Sequence, residues 1–153
     1  MNNTLANNST IDRSGLNNLL SPGVGIDIGT FILRVALGSV LLAHSLYLKL
    51  MVFTLPGTAQ FFASIGLPEL LAYAVFSIEA IAGVALILGF KTRLFSALVI
   101  PVLLGATWAH LANGWLFTNA GGGWEYPLLL AVMALAQVGL GNGKYAVSTT
   151  SHN

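Results

Sequence analysis

The chain has 153 residues, 56% of them hydrophobic and 7% charged, with a formal net charge of +1 and a mean hydropathy of +0.81. Soluble domains carry about 25% charged residues, so this composition excludes an ordinary water-soluble core and points to one integral membrane domain. The small net charge gives no electrostatic footing for nucleic acid. The absence of cysteine excludes thiol–disulfide chemistry, thiolate-bound metal, iron–sulfur clusters and Cys-anchored haem held by this chain.

Residues 1–25 are rich in Asn, Ser and Thr and lack an apolar stretch before Ile26. They read as a flexible polar tail rather than a secretory signal. Four apolar segments follow, at about Ile28 to Leu48, Leu70 to Gly89, Leu94 to Gly114 and Tyr126 to Leu140. The first three are about 20 residues long, enough to cross a ~30 Å hydrocarbon core. The fourth is shorter and is interrupted by Gln137 and Gly139.

The expected fold over residues 26–147 is therefore all-α, an integral membrane four-helix bundle. Between the first two spans, Pro56-Gly57-Thr58 opens a connection that Gly66-Leu67-Pro68 closes. The stretch Gln60 to Ile65 between them suits a short interfacial or re-entrant helix. Lys91-Thr92-Arg93 makes a tight turn, and Gly121-Gly122-Gly123 reads as a flexible one. The chain from Asn142 onward reads as polar, with a flexible C-terminal tail at residues 148–153.

Arg13, Lys91, Arg93 and Lys144 fall on one side of four spans, and Lys49 falls alone on the other. By the positive-inside rule both termini face the cytoplasm. Tyr47, Trp108, Trp115, Phe117 and Trp124 then mark the outer interface. Lys91 and Arg93 are expected to set topology and contact lipid headgroups.

Glu79 sits inside an apolar run with about ten residues on either side, roughly 14 Å of helix. A carboxylate near a bilayer midplane needs a partner, a proton or a water-filled cavity. Counting about 1.5 Å per residue from the inner side puts Arg34 at about 9 Å, Gln137 at about 12 Å and Glu79 at about 15 Å. These three are expected to share an inner polar layer containing an Arg34–Glu79 pair. His44 and His110 both fall near 24 Å on the same count, which places them with Glu125, Lys49 and Tyr126 in an outer layer.

Two roles stay open for the inner pair: fixing helix register, or anchoring a ligand and moving a proton. The histidines are equally readable as interfacial polar side chains. Glu125 also suits the positive N-terminal end of the fourth helix. No HxxxH or HxxE spacing supports a metal site, and none is expected. Gly38 lies four residues after Arg34, Gly83 four after Glu79, and Ala97, Pro101 and Gly105 recur by fours, a spacing that suits close helix packing in lipid.

A family pattern also runs through the chain. Arg34 is followed by Leu-Ala-His-Ser-Leu-Tyr-Leu-Lys ending at Lys49. Next come Gly66-Leu67-Pro68, Glu79 with Gly83, Gly89 before Lys91-Thr92-Arg93, His110, Gly-Trp-Glu at 123–125 and Gly139-Leu140-Gly141. This order resembles the DoxX family of four-helix bacterial inner-membrane proteins, over roughly Ile26 to Val147. The chain departs from the family at His44 or Ser45, where a Gly is common.

The resemblance implies membership of membrane-associated oxidoreductase systems. Some related proteins are subunits of a thiosulfate:quinone oxidoreductase, and others accompany enzymes of oxidative-stress defence. By the same resemblance, Arg34, Glu79, Arg93 and Glu125 match family positions and are functional candidates.

Three functions fit these observations. The first is a quinone-linked subunit, with quinone as substrate and electrons drawn from a soluble or membrane oxidoreductase partner or directly from a bound substrate. The second is a non-catalytic anchor or assembly subunit. The third is a small proton or solute transporter, for which four helices leave little room without homo-oligomerisation. In all three the lipid bilayer is the common partner.

Overall fold

In lipid, an apolar run hides its backbone by bonding it internally as helix. The computed structural model describes residues 22–147, and these form helices and connecting turns without a strand. The expected N-terminal tail up to residue 21, with Arg13, and the C-terminal tail at 148–153 lie outside the described residues. Helix α1 (Pro22–Leu42) runs directly into a π-helical segment (Ala43–Val52). Then come α2 (Leu55–Ser64), α3 (Leu70–Leu88), α4 (Thr92–Ala109), a 3-10 turn (Leu111–Asn113) and α5 (Glu125–Leu140).

Three stretches are long and apolar enough to cross a membrane: Gly23–Val52, of 30 residues, Leu70–Leu88 and Thr92–Ala109. The first is longer at both ends than the apolar pattern alone indicates: it starts at Gly23, and the π-helical segment carries it past Lys49 to Val52. Helix α5 has 16 residues and is about 24 Å long at about 1.5 Å per residue. The short helix expected between the first two spans is present as α2, and it begins five residues earlier than Gln60. Thr54 accepts the Gly57 N–H at 3.2 Å as its N-cap, and Pro56 fits the first turn, where no N–H is needed.

Leu37, Leu41, Ala82, Leu86, Val99, Leu103, Leu130, Ala131 and Ala134 form the core between the four long helices. Large apolar side chains such as Ile32, Ile81 and Leu135 point outward, as a helix bundle with lipid for solvent requires. Helices α1 and α3 touch backbone to backbone. A Cβ added at Gly38 would stand 2.8 Å from the Gly83 carbonyl oxygen, and one at Gly83 would stand 2.7 Å from Leu42 Cγ. The other small-residue stripe behaves differently. Ala97, Pro101 and Gly105 face outward, and Gly105 has nothing within 4 Å of an added Cβ. Pro101 lies within α4 without ending it.

Helix α3 ends on Gly89, at φ 75°, with Gly89 N–H bonded to Leu86 O at 3.1 Å and Phe90 N–H to Ala85 O at 2.8 Å. This paired pattern is the Schellman ending that glycine permits. Past α5 the chain turns back across the bundle. Asn142 Oδ1 accepts the Thr92 N–H at 3.0 Å and the Thr92 hydroxyl at 2.6 Å. The Lys144 N–H reaches Asp27 Oδ1 at 3.3 Å, and the Val147 N–H reaches Leu88 O at 3.0 Å. Residues 142–147, read from sequence as polar tail, are thus a strap packed on the bundle. The strap meets the start of α1 at the terminal end of the bundle; the opposite end is the loop end.

Candidate functional site

The π-helical segment decides which side chains meet. Residues five apart in an α-helix point about 140° from one another, at about 100° per residue. Bonding from i to i+5 brings them close to one face. His44 and Lys49 are five apart, and His44 lies near enough to Lys49 and His110 to interact electrostatically with both.

Lys49 then meets Glu79. Its Nζ donates to Glu79 Oε2 at 2.7 Å, with side-chain exposures of 16% and 7%. This is the ion pair among the described residues, and it replaces the expected Arg34–Glu79 pair. The reason lies in side-chain direction. Every Cα–Cβ bond of a helix tilts toward that helix's N-terminus. On α1 this turns Arg34, and on the π-helical segment that continues it Lys49, toward the terminal end; on α3, which runs the other way, it turns Glu79 toward the loop end. Lys49 and Glu79 therefore lean together, and Arg34 leans away from Glu79.

Arg34 instead reaches the strap. Its Nη2 donates to the Tyr145 carbonyl, and its guanidinium lies 5.4 Å from the centre of the Phe31 ring. Its Nη1 sits against Gly89, where a Cβ would come within 1.6 Å. Gly89 follows Glu79 by ten residues, or about 15 Å of helix, so Arg34 and Glu79 occupy different levels. Gln137 is on the Arg34 side, with Nε2 donating to Gly141 O at 2.6 Å. Arg93 lies beside Gly141. Lys91 is exposed, with a left-handed backbone at φ 43° and its Nζ 5.6 Å from the Phe90 ring centre.

At the loop end, the His44 ring stacks on Tyr126 with centroids 6.2 Å apart and planes 24° from parallel. Tyr126 is also part of a surface groove of about 510 Å³ formed with Trp115, Phe117, Leu129 and Val132. Glu125 borders the same groove, but its Oε1 accepts the Phe117 N–H at 2.8 Å, which ties it to the loop rather than to the histidines. His110 Nδ1 lies 3.2 Å from Gly122 O and 3.3 Å from Asn113 Nδ2. The glycine triplet is accordingly shaped rather than loose. Gly121 and Gly122 have φ of 81° and 77°, and a Cβ at Gly123 would stand 2.2 Å from the Leu116 carbonyl oxygen.

The expected outer group of His44, Lys49, His110 and Glu125 is thus divided. Lys49 pairs with Glu79, His44 stacks on Tyr126, His110 meets Gly122 and Asn113, and Glu125 braces the loop. Ser96, fully buried on α4, carries no charge and was not singled out from sequence. Its signal is the spacing of the buried α4 positions Thr92, Ser96, Val99 and Leu103.

The fold and these contacts define a polytopic helical membrane bundle with a largely withdrawn ammonium–carboxylate pair between two of its helices. The chain belongs to the DoxX family, whose model matches residues 29–112. That match includes Arg34, His44, Lys49, Glu79, Ser96 and His110. The chain is also 38% identical over 113 residues, 74% of its length and 81% of the relative's, to a protein of Bacillus subtilis (strain 168) named "Putative oxidoreductase CatD". No solved structure gives a significant match.

Proposed function

We propose that the protein is a bacterial inner-membrane subunit of an oxidoreductase system, and that it presents a quinone headgroup to the Lys49–Glu79 pair. The observation that carries this reading is the 2.7 Å ion pair beside the His44–Tyr126 stack, with Tyr126 also lining a groove open at the bundle surface. Aromatic and aliphatic walls suit an isoprenoid quinone, whose headgroup needs hydrogen-bond donors and a source of protons. Reduction of a quinone to its quinol takes two electrons and two protons. The electrons come from a partner oxidoreductase, and Glu79, Lys49 and His44 relay the protons to the two quinone oxygens. Lys91, Arg93 and Lys144 belong to the terminal end, where Lys144 meets Asp27, and the positive-inside rule turns that end to the cytoplasm.

Trp115 in the groove provides the readout. A short-chain quinone titrated into the protein in lipid nanodiscs should quench tryptophan fluorescence. Glu79→Gln and Tyr126→Ala should each weaken binding about tenfold, the effect of losing about 1.4 kcal/mol. Affinity unchanged in both variants removes this site. No quinone affinity, together with co-purification of an oxidoreductase that survives Glu79→Gln, would instead establish the anchor reading.

A further inference from the structure

Among the described residues, four buried side-chain atoms have no hydrogen-bond partner: Arg34 Nε, Arg34 Nη1, Ser96 Oγ and Gln137 Oε1. They belong to three residues that are 1%, 0% and 0% exposed. Helix register places the three in one layer. The core contains Leu37, Leu86, Val99 and Ala134. Three residues further toward the terminal end on each helix stand Arg34, Gly89, Ser96 and Gln137. The Arg34–Gly89 approach and the Thr92–Asn142 bond tie the helices at that same end.

The chemistry of the orphaned atoms defines what would satisfy them. The Arg34 nitrogens only donate, and Ser96 Oγ donates and accepts. Gln137 has committed its amide nitrogen to Gly141 O, so its oxygen is left to accept. A complementary group must therefore accept two or three hydrogen bonds and donate one.

Charge narrows the class. The buried guanidinium has a backbone carbonyl, that of Tyr145, as its hydrogen-bond partner. Glu79 is committed to Lys49 about 15 Å away, and Asp27 stands seven residues before Arg34, about 10 Å along α1. Arg93 beside Gly141 adds positive charge. The C-terminal carbonyls of α3 near Gly89 offset part of this with about half a unit of negative charge. Water would satisfy the hydrogen bonds and leave the cation unbalanced in a low-dielectric layer, where an uncompensated charge is costly.

We propose that Arg34, Ser96 and Gln137 bind a singly charged phosphate group bearing one protonated oxygen, beneath the strap of residues 142–147. The unprotonated oxygens accept from Arg34 and Ser96, and the P–OH donates to Gln137 Oε1. Inorganic phosphate and the phosphomonoester headgroup of phosphatidic acid both present this chemistry. A phosphodiester headgroup has no P–OH to donate. Tyr145 closes the site from the terminal side, so entry requires the strap to lift.

The test is thermal unfolding of the full chain in phosphatidylcholine nanodiscs at pH 6 and constant ionic strength. Inorganic phosphate should raise the midpoint by several degrees and sulfate by clearly less, since sulfate lacks the proton for Gln137. In parallel, nanodiscs doped with phosphatidic acid are compared with nanodiscs doped with phosphatidylglycerol. Stabilisation by phosphatidic acid but not by free phosphate assigns the lipid as source; the converse assigns the free ion. Ser96→Ala and Gln137→Leu should each weaken the preferred ligand about tenfold, and Gln137→Leu should abolish the preference for phosphate over sulfate. Stabilisation by neither source, or equal stabilisation of the wild type and both variants, overturns the proposal.

Discussion

The Lys49 ammonium and the Glu79 carboxylate meet at 2.7 Å because their helices run in opposite directions and each side chain leans toward its own N-terminus. The π-helical turn below Lys49 keeps His44 on the same face. Both charged groups are largely withdrawn from solvent, so each depends on the other. Removing one partner of a buried pair leaves an uncompensated charge and costs about 3–5 kcal/mol. Glu79→Gln and Lys49→Met should each lower the unfolding midpoint strongly, and the double variant should recover much of the loss. A double-mutant cycle of denaturant unfolding in detergent checks this; additive losses would show that the pair is not coupled.

Gly89 and Arg34 compete for one volume. A Cβ at Gly89 would coincide with Arg34 Nη1, 1.6 Å away, on a backbone at φ 75°. Gly89→Ala therefore combines a left-handed backbone penalty of about 1–2 kcal/mol with displacement of the guanidinium from the Tyr145 carbonyl. The expected outcome is lower stability together with faster proteolysis after Lys144. Intact strap protection in this variant would show that Arg34 does not hold the strap.

The contact between Gly38 and Gly83 sets the distance from α1 to α3. Gly83→Leu should force the helices apart and cost about 1–3 kcal/mol, as overpacking does in a filled core. Gly105→Ala is the control, since nothing lies within 4 Å of its added Cβ; it should leave the midpoint unchanged or raise it slightly through helix propensity. Equal effects at the two positions would contradict the packing described for α1 and α3.

Asn142 anchors the strap at its start by accepting both the amide and the hydroxyl of Thr92. Asn142→Ala leaves the buried Thr92 hydrogens unpaired, at a cost of about 1–3 kcal/mol. Hydrogen exchange should accelerate at Val147, whose N–H bonds Leu88 O, while exchange in the middle of α3 stays slow. Acceleration spread evenly through the bundle would mean that the strap is not a separate unit.

Helical class, the three segments long enough to cross and the short helix opened by Pro56 were legible in the order of residues, because in lipid a long apolar run has helix as its route to a satisfied backbone. Glu79 was legible as a side chain in need of a partner for the same reason, and the spacing of Gly38 and Gly83 pointed to a close helix approach. Which cation answers Glu79 was not. Depth counted along straight helices put Arg34 nearest, whereas side-chain direction and the π-helical turn delivered Lys49. Asn142 and Tyr145 looked like solvated tail, and Ser96 like an ordinary helix residue, until helix register and the returning strap closed one polar layer around Arg34. Composition and local pattern thus determined this protein's surroundings and its elements, because burial in lipid acts on each segment by itself. The pairing of its few charges was decided by the tertiary structure, because a contact depends on the rotation and direction of two helices at once.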